Sequence, residues 1–487
     1  MTQLVDRHDE VRELSALADA GRPKLALLYG RRRVGKTFLL TNIWPADRAL
    51  YFTASATTPE QNRRHLVEEA GRWAGTELRA EDYPTWRTVF RMLLSLKRDR
   101  PIVVVLDEFQ YLAEGEAGLR EVASEFNAVW EAPESRRPIL VVVSGSSVHT
   151  VSALAQGGSP LYGRFDWQAR LEPFDYWNAA RMLPGYGHAD HLRVYGAFGG
   201  VPRHLAPVDP DRSVELNIQH LLLDPRGEVR LQLETAIHQE EGLQEIWKYQ
   251  AILTAIGSGQ TKLSDVANKT GLTLDKAFRQ RLDRLIDLGY VRKAQNLGAG
   301  RTSPYLYRIA DPAMASYYAL VAPYETALEV TSSRELWKAR LKLLFDTHMG
   351  FVFERVVEQA YYRHMESLDL PLVREWGRWE GTDRNREGVE VDVATELLDG
   401  RILSGAIKHR AKPMGTDVFT QHLRDLERAA AGGKAGVWAR HALDGDGPFL
   451  FASASGFTDS FRQMAEASGR RVITWDLDDI FRGFETA

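Results

Sequence analysis

Four apolar runs without alternation mark the first 150 residues: "KLALLYG", "ALYFTAS", "PIVVVLDEF" and "RPILVVVSGS". A run that keeps no polar face predicts a strand covered on both sides, hence a parallel sheet with helices packed over it. The segments between them agree. "GKTFLLTNIW" opens a helix directly after the first run, and "TWRTVFRMLLSL" spaces its apolar residues at the helical period. From about 172 to 245 the spacing is helical.

Residues 246–310 form a smaller pattern. "WKYQAILTAIGSG", "KLSDVANKTG" and "LDKAFRQRLDRLIDLGYV" give three helices, and "VRKAQNL" and "SPYLYRIAD" flank "GAGRT" as two strands. Three helices followed by a two-stranded wing is the order of a winged helix-turn-helix. The helical stretch "SSRELWKARLKLLFDTHMGFVFERVVEQAYYRHM" then leads into a second α/β pattern. Its expected strands include "VEVDVATELL", "RILSGAIKH", "AGVWAR", "PFLFASA" and "RVITWDL".

Composition narrows the options. The 487 residues leave room for two to four domains. With 44% hydrophobic and 26% charged residues and a net charge of -4, the chain has no overall basic excess, so any DNA contact must come from local patches. No cysteine is present, which excludes disulfides, thiolate zinc sites and a cysteine nucleophile. "MTQLVDRHDEVRELSAL" lacks the long apolar core of a secretory signal. No apolar run approaches the roughly 20 residues that cross a bilayer. A cytoplasmic protein without membrane association is expected.

"GRRRVGKT", Gly30 to Thr37, fits G-x-x-x-x-G-K-[ST] and sits between a buried strand and a helix, the context its chemistry requires. Gly30 and Gly35 let the backbone of Arg31, Arg32, Arg33 and Val34 wrap phosphates, and the helix start at Lys36, Thr37 and Phe38 adds positive dipole. Lys36 is expected on the β- and γ-phosphates of ATP and Thr37 on Mg²⁺. "VVVLDEFQ" supplies the partner motif: Asp107 for Mg²⁺ and Glu108 to polarise the attacking water. The next strand ends in Ser144-Gly145-Ser146. Ser144 is the first candidate for a polar group beside the γ-phosphate, and Ser146 the second. Arg164, in "SPLYGRF", is either a finger toward a neighbouring subunit's nucleotide or a solvated loop residue.

With Arg7 and Glu10 in "VDRHDEVREL", "YGRRRVGKT", "LDEFQYL", "SGSS", "LYGRF", "YGAFGGVPRHL" and "YRIADPAMASYY", the chain resembles the archaeal-type ATPases, a P-loop branch near the STAND and origin-recognition ATPases. The resemblance implies a helical lid after the core, Arg7 near the adenine pocket, and Pro202 of "GGVP" near base or sugar. The implied layout is a P-loop ATPase core over 1–171, a lid over 172–245, a winged helix over 246–325 and a C-terminal α/β domain over 326–487.

Lys262, Lys269, Lys276, Arg279, Arg281, Arg284 and Arg301 give the winged helix basic character, and Asp275, Asp283 and Asp287 interrupt it. Both a DNA reader and a packing joint are compatible with that pattern.

"GFVFERVVEQ", "EWGRW", "GVEVDVATELLDGRILSGAIKHR" and "LFASASGFT" resemble the PD-(D/E)xK nucleases, whose fold is that of restriction endonucleases. The resemblance implies a cage from Glu354 on a helix, Asp392 on a strand and a second strand carboxylate, with Lys408 orienting the nucleophile. Mg²⁺ in such a cage lowers the pKa of a water and neutralises the leaving oxygen. Strand alternation puts position 406 beside Lys408, with Ile407 on the opposite face. Position 406 is Ala, which offers no ligand oxygen. Either nature or deliberate substitution removed the carboxylate, and Glu390, two residues before Asp392, shares its face. Arg401, Lys408, His409, Arg410 and Lys412 are expected as a basic cluster beside the site, for phosphates or for solvent.

Three functions follow as expectations. The first is an ATP-driven, homo-oligomeric machine acting on DNA, with an active or disabled nuclease domain, suited to DNA repair or defence against mobile elements. The second is a STAND-like switch that oligomerises on ATP and uses its pseudo-nuclease domain for interaction. The third is a protein-remodelling ATPase without DNA.

Overall fold

The computed structural model describes residues 5–97, 100–132, 137–240, 242–299, 303–432 and 436–484. Arg301 of the wing lies outside them. The chain divides into two compact units. One runs up to Pro173 and takes back Val201–Arg203; the other holds Phe174–Gly200 and everything from His204 onward.

In the first unit, β1 (Lys24–Tyr29), β2 (Ala49–Thr53), β3 (Ile102–Asp107), β4 (Ile139–Gly145) and β5 (Trp167–Arg170) form one parallel sheet in the order β2-β3-β4-β1-β5. β3 and β4 are buried at every position, as their unbroken apolar runs require. One face of the sheet packs Leu25, Val104 and Val141 against Phe90 and Phe126 of the helices Trp86–Ser95 and Gly115–Trp130. The other face packs Ala26, Val103 and Val142 against Leu14 and Leu39. β4 stands between the strand that carries the phosphate-loop sequence and the strand that ends in Asp107. The carboxyl ends of β1, β3 and β4 therefore converge on one edge, where parallel α/β sheets place their sites.

The second unit contains the three helices Ile246–Gly257, Leu263–Thr270 and Lys276–Asp287, followed by the antiparallel pair β6 (Val291–Ala294) and β7 (Leu306–Ile309). The long helix Lys342–His364 runs into a mixed sheet. There β8 (Val373–Glu375), β11 (Val393–Leu397), β12 (Ile402–Lys408), β13 (Phe449–Ser453) and β14 (Val472–Trp475) lie in the order β14-β13-β12-β11-β8. β9 (Trp379–Thr382) and β10 (Gly388–Val391) make a separate hairpin. β12 pairs antiparallel with β11 and parallel with β13.

Two expectations are corrected here. "AGVWAR" is not a strand: Val437–Asp444 is a helix that buries Trp438, Ala439 and Ala442. Its spacing of one, three and four residues fits a helical face, which outweighs the strand preference of Val and Trp. "VEVDVATELL" is not one continuous strand either. It breaks at Asp392 into β10 and β11, which pair with different partners.

The wing is joined to the C-terminal domain inside this unit. Asn296 Nδ2 donates to the Glu380 carbonyl at 2.6 Å, and Glu380 N–H donates to Asn296 Oδ1 at 3.1 Å. Leu297 packs against the core formed by Trp379, Phe451 and Trp438. Arg292 pairs with Glu358 at 3.3 Å. The wing residues Arg292, Asn296 and Leu297 are thus engaged with protein.

Candidate functional site

The phosphate loop leaves β1 through Gly30. A Cβ at Gly30 would stand 2.4 Å from the Leu171 carbonyl oxygen, so the close approach of two backbones requires glycine. Gly35 takes φ 99°, in the left-handed region, at the start of helix Lys36–Ile43, and the nearest atom to a Cβ built there is Pro202 Cγ, at 3.8 Å. Pro202 therefore borders the loop within the same unit. Arg33 is also left-handed, with φ 70°. Val34 is buried in the apolar core, whereas Phe38 is exposed.

Lys36 is buried and donates to the carbonyls of Gly30 (2.7 Å) and Arg31 (3.1 Å). Thr37 Oγ1 donates to Asp107 Oδ2 at 3.0 Å. Hydroxyl and carboxylate thus converge as an all-oxygen pair that suits Mg²⁺. Tyr51 in the middle of β2 also donates its hydroxyl to Asp107 Oδ2, and burial beside that carboxylate pushes the phenol pKa up. Glu108 adopts φ 54°, a strained backbone for a non-glycine residue, and its carboxylate accepts from Ser146 Oγ (2.7 Å) and Ser146 N–H (3.1 Å). Ser146, the second choice in the sequence, makes this contact. The Ser144 hydroxyl is fully buried, with no hydrogen-bond partner among the described residues. Arg32 turns toward the same group, donating to Tyr111 Oη at 2.7 Å and Ser146 Oγ at 3.4 Å. Arg7 donates to the Glu172 carbonyl at 2.6 Å and lies 3.7 Å from Glu10. Arg164 is exposed and paired with Glu131 at 3.0 Å. Tyr51 and Tyr111 carry no motif of their own; the register sets Tyr51 opposite Val105, and its side chain reaches the Asp107 carboxylate two residues along β3.

The second cluster lies in the C-terminal domain. The break between β10 and β11 turns Asp392 inward, where Oδ2 accepts from Ile407 N–H (2.8 Å) and Lys408 Nζ (2.7 Å). Glu354 of helix Lys342–His364, Glu390 and Asp392 bring carboxylate oxygens within 4.8 Å of one another. This donor set fits a hard divalent cation. Burial, then the adjacent Asp392 and Glu390, push the Glu354 carboxyl well above the usual glutamate range. Arg378 bridges the group, 3.0 Å from Glu354 and hydrogen-bonded to Glu390, and Arg308 from β7 stands 3.6 Å from Glu354.

Ala406 and Lys408 line one recess with Glu390 and Asp392, while Ile407, expected on the opposite face of β12, lines the recess of Glu354 and Lys408 beside it. Ala406 also borders the apolar core with Met414 and Phe451. Gln421 and Asp425, one turn apart on helix Thr416–Ala430, face both this recess and a neighbouring one of ≈ 570 Å³ that Glu354, Lys408, His409 and Arg410 line. Burial raises the Asp425 carboxyl. Arg401 does not belong to this cluster. It precedes β12, roughly 20 Å from Lys408 at the usual strand rise, and pairs with Asp399 at 2.7 Å. Arg378 and Asp425 were not singled out from the sequence; the four-residue spacing of Gln421 and Asp425 was the available clue.

Residues 4–208 match a profile described as an ATPase domain predominantly from Archaea, and residues 317–417 match one described as archaeal and bacterial proteins of unknown function. An uncharacterized protein of Methanocaldococcus jannaschii is 24% identical over 437 residues, covering 86% of this chain and 94% of its own. Among solved structures, the Walker-type ATPase of Pyrococcus abyssi matches at 21% identity with TM-score 0.49, covering 65% of this chain and 96% of that one. The ORC2 protein of Aeropyrum pernix matches at 14% identity with TM-score 0.43, covering 70% and 96%. Among the described residues no helix is long and apolar enough to cross a membrane.

Proposed function

Since residues 4–208 carry a domain of the archaeal ATPase family, we propose that this chain binds and hydrolyses ATP, self-associates, and acts on DNA through a nuclease-type C-terminal domain weakened at Ala406. Lys36 and the loop N–H groups would bind the phosphates. Thr37 and Asp107 would hold Mg²⁺, which supplies charge neutralisation on the phosphoryl oxygens. Glu108 would accept the proton of the attacking water while Ser146 fixes its carboxylate at 2.7 Å.

The observation that carries the DNA reading is the convergence of Glu354, Glu390 and Asp392 with Lys408, which lies 2.7 Å from Asp392. These three acids would hold a divalent cation, whose chemistry is to make a bound water acidic and to stabilise the leaving oxygen. Lys408 would orient the nucleophile. Ala406 contributes no oxygen, and the loss is on the order of 100-fold in rate.

One observation favours the second reading, an ATP-dependent switch with a non-cutting interaction domain. Arg378 and Arg308 already neutralise the acids that a metal would need.

The test compares the parent chain with Ala406→Glu on supercoiled, linear and branched DNA, with Mg²⁺ or Mn²⁺, with and without ATP. Cleavage by the variant at least about 100 times faster than by the parent is expected. No cleavage by either chain, together with ATP-dependent assembly, would transfer the assignment to the switch.

A further inference from the structure

The second unit contains a cavity of ≈ 460 Å³ among helix Ile246–Gly257, helix Pro312–Leu320, the wing strands and helix Lys342–His364. That is the size of an ordinary small-molecule pocket. Its polar wall is cationic. Lys269, Arg292, Arg308, Arg340 and Arg355 line it, and no carboxylate does. Glu358 and Glu354 reach Arg292 and Arg308 from behind, at 3.3 and 3.6 Å. Arg340 donates to the Tyr324 hydroxyl at 3.3 Å, and Arg355 donates to the Ala310 carbonyl. Among the described residues neither of these two, nor Lys269, forms an ion pair with a carboxylate. Burial and the nearby Arg355 both press the Arg292 guanidinium below the usual arginine range. Crowding of like charges around an enclosed space costs stability unless an anion compensates it.

Ser258, Thr261, Thr347 and His348 add neutral polar groups, and Ile256, Pro312, Ala319, Val352 and the exposed ring of Phe351 form an apolar wall. The Arg308 guanidinium stacks 4.5 Å from the centroid of that ring. An inorganic anion would satisfy the cations and leave this wall wet, whereas a purely apolar guest would leave the cations unmatched. We propose that this cavity binds a mononucleotide-sized organic phosphate, with the phosphate on Arg340, Arg355 and Lys269 and a planar body against Phe351 and the apolar wall. The site draws on none of the phosphate-loop residues.

The probe is 5′-AMP, titrated by calorimetry into the full chain carrying Lys36→Ala, which removes nucleotide binding at the phosphate loop. One AMP per chain is expected, with adenosine and inorganic phosphate each at least tenfold weaker. Arg340→Glu, at an exposed side chain, and Ala319→Phe, which fills the cavity, should each weaken AMP at least tenfold without changing the circular dichroism spectrum. If Ala319→Phe fails to fold, Arg340→Glu decides alone. The proposal is overturned if AMP does not bind, if Arg340→Glu leaves its affinity unchanged, or if a short DNA duplex displaces AMP and is itself lost in Arg340→Glu. That last result would make the occupant a DNA phosphate.

Discussion

Replacing Arg378 by Met keeps the aliphatic body of the side chain and deletes its charge. The side chain is 13% exposed and Glu354, 3.0 Å away, is 18% exposed, so the pair is shielded from water. At a pH above the raised pKa of Glu354, removing one partner of such a pair leaves an uncompensated carboxylate, at a cost of about 3–5 kcal/mol. Arg308 remains 3.6 Å from Glu354, which argues for the lower end. Glu390 is 51% exposed, and water screens its share to within about 1 kcal/mol. The expected loss in EDTA is therefore about 3–4 kcal/mol, a Tm decrease of roughly 6–16 °C at 2–4 °C per kcal/mol. A divalent ion can take the place of the missing charge. At a concentration 100 times its Kd, Mn²⁺ would return about 2.7 kcal/mol. Thermal unfolding of parent and Arg378→Met, each in EDTA and in millimolar Mn²⁺, reads both effects. Metal should rescue the variant more than it helps the parent. An equal deficit with and without Mn²⁺ would refute the idea that arginine and metal compete for one cluster, and no deficit in EDTA would refute the pairing energy itself.

Other expectations can be checked separately. Glu108→Gln should reduce ATP turnover by at least about 100-fold while fluorescent ATP still binds; undiminished turnover would remove Glu108 from catalysis. Burial lowers His348 and His422 from 6.5 to about 4. Both stay neutral in the folded chain while the unfolded chain protonates. Their contribution is therefore present above pH 6.5 and is lost as pH falls toward 4, by about 3 kcal/mol per histidine. His422→Gln should flatten the acid side of the Tm–pH curve, and an unchanged slope would contradict this. Asn296→Ala removes the two hydrogen bonds to Glu380 and should cost about 1–3 kcal/mol in denaturant unfolding; a neutral result would mean that Leu297 and the Arg292–Glu358 pair hold the wing without them.

The nucleotide half was legible because its chemistry is contiguous. Gly30 to Thr37 are neighbours in sequence, and a buried strand announces Asp107. The choice between Ser144 and Ser146 was not legible, because both hydroxyls suit the chemistry. The geometry at the end of β4 separates them: one is enclosed beside β1 and the other reaches Glu108. In the C-terminal domain, alternation groups Ala406 with Lys408 but not Ile407, which lines the recess of Glu354 and Asp392. Arg378 stayed hidden because its partners lie 24 and 12 residues away, and no local period links them. The helix Val437–Asp444 was misread because Val and Trp favour strands until a neighbouring helix offers their face a place to pack. Arg401 was misplaced because closeness in sequence was taken for closeness in space, although β12 carries the chain away from it.

Asn296 and Leu297 have a consequence for how such a protein could be inherited in pieces. The wing loop belongs to the winged helix by chain order, yet Leu297 completes the apolar core of the C-terminal domain. A recombination event that exchanged only the segment after residue 325 would give the incoming domain a foreign wing and leave a mismatched patch. An exchange that keeps this core whole must therefore carry the wing along with the C-terminal domain. In descendants, substitutions at 296 and 297 should track changes around Glu380 and Trp438 rather than changes in the three helices beside them.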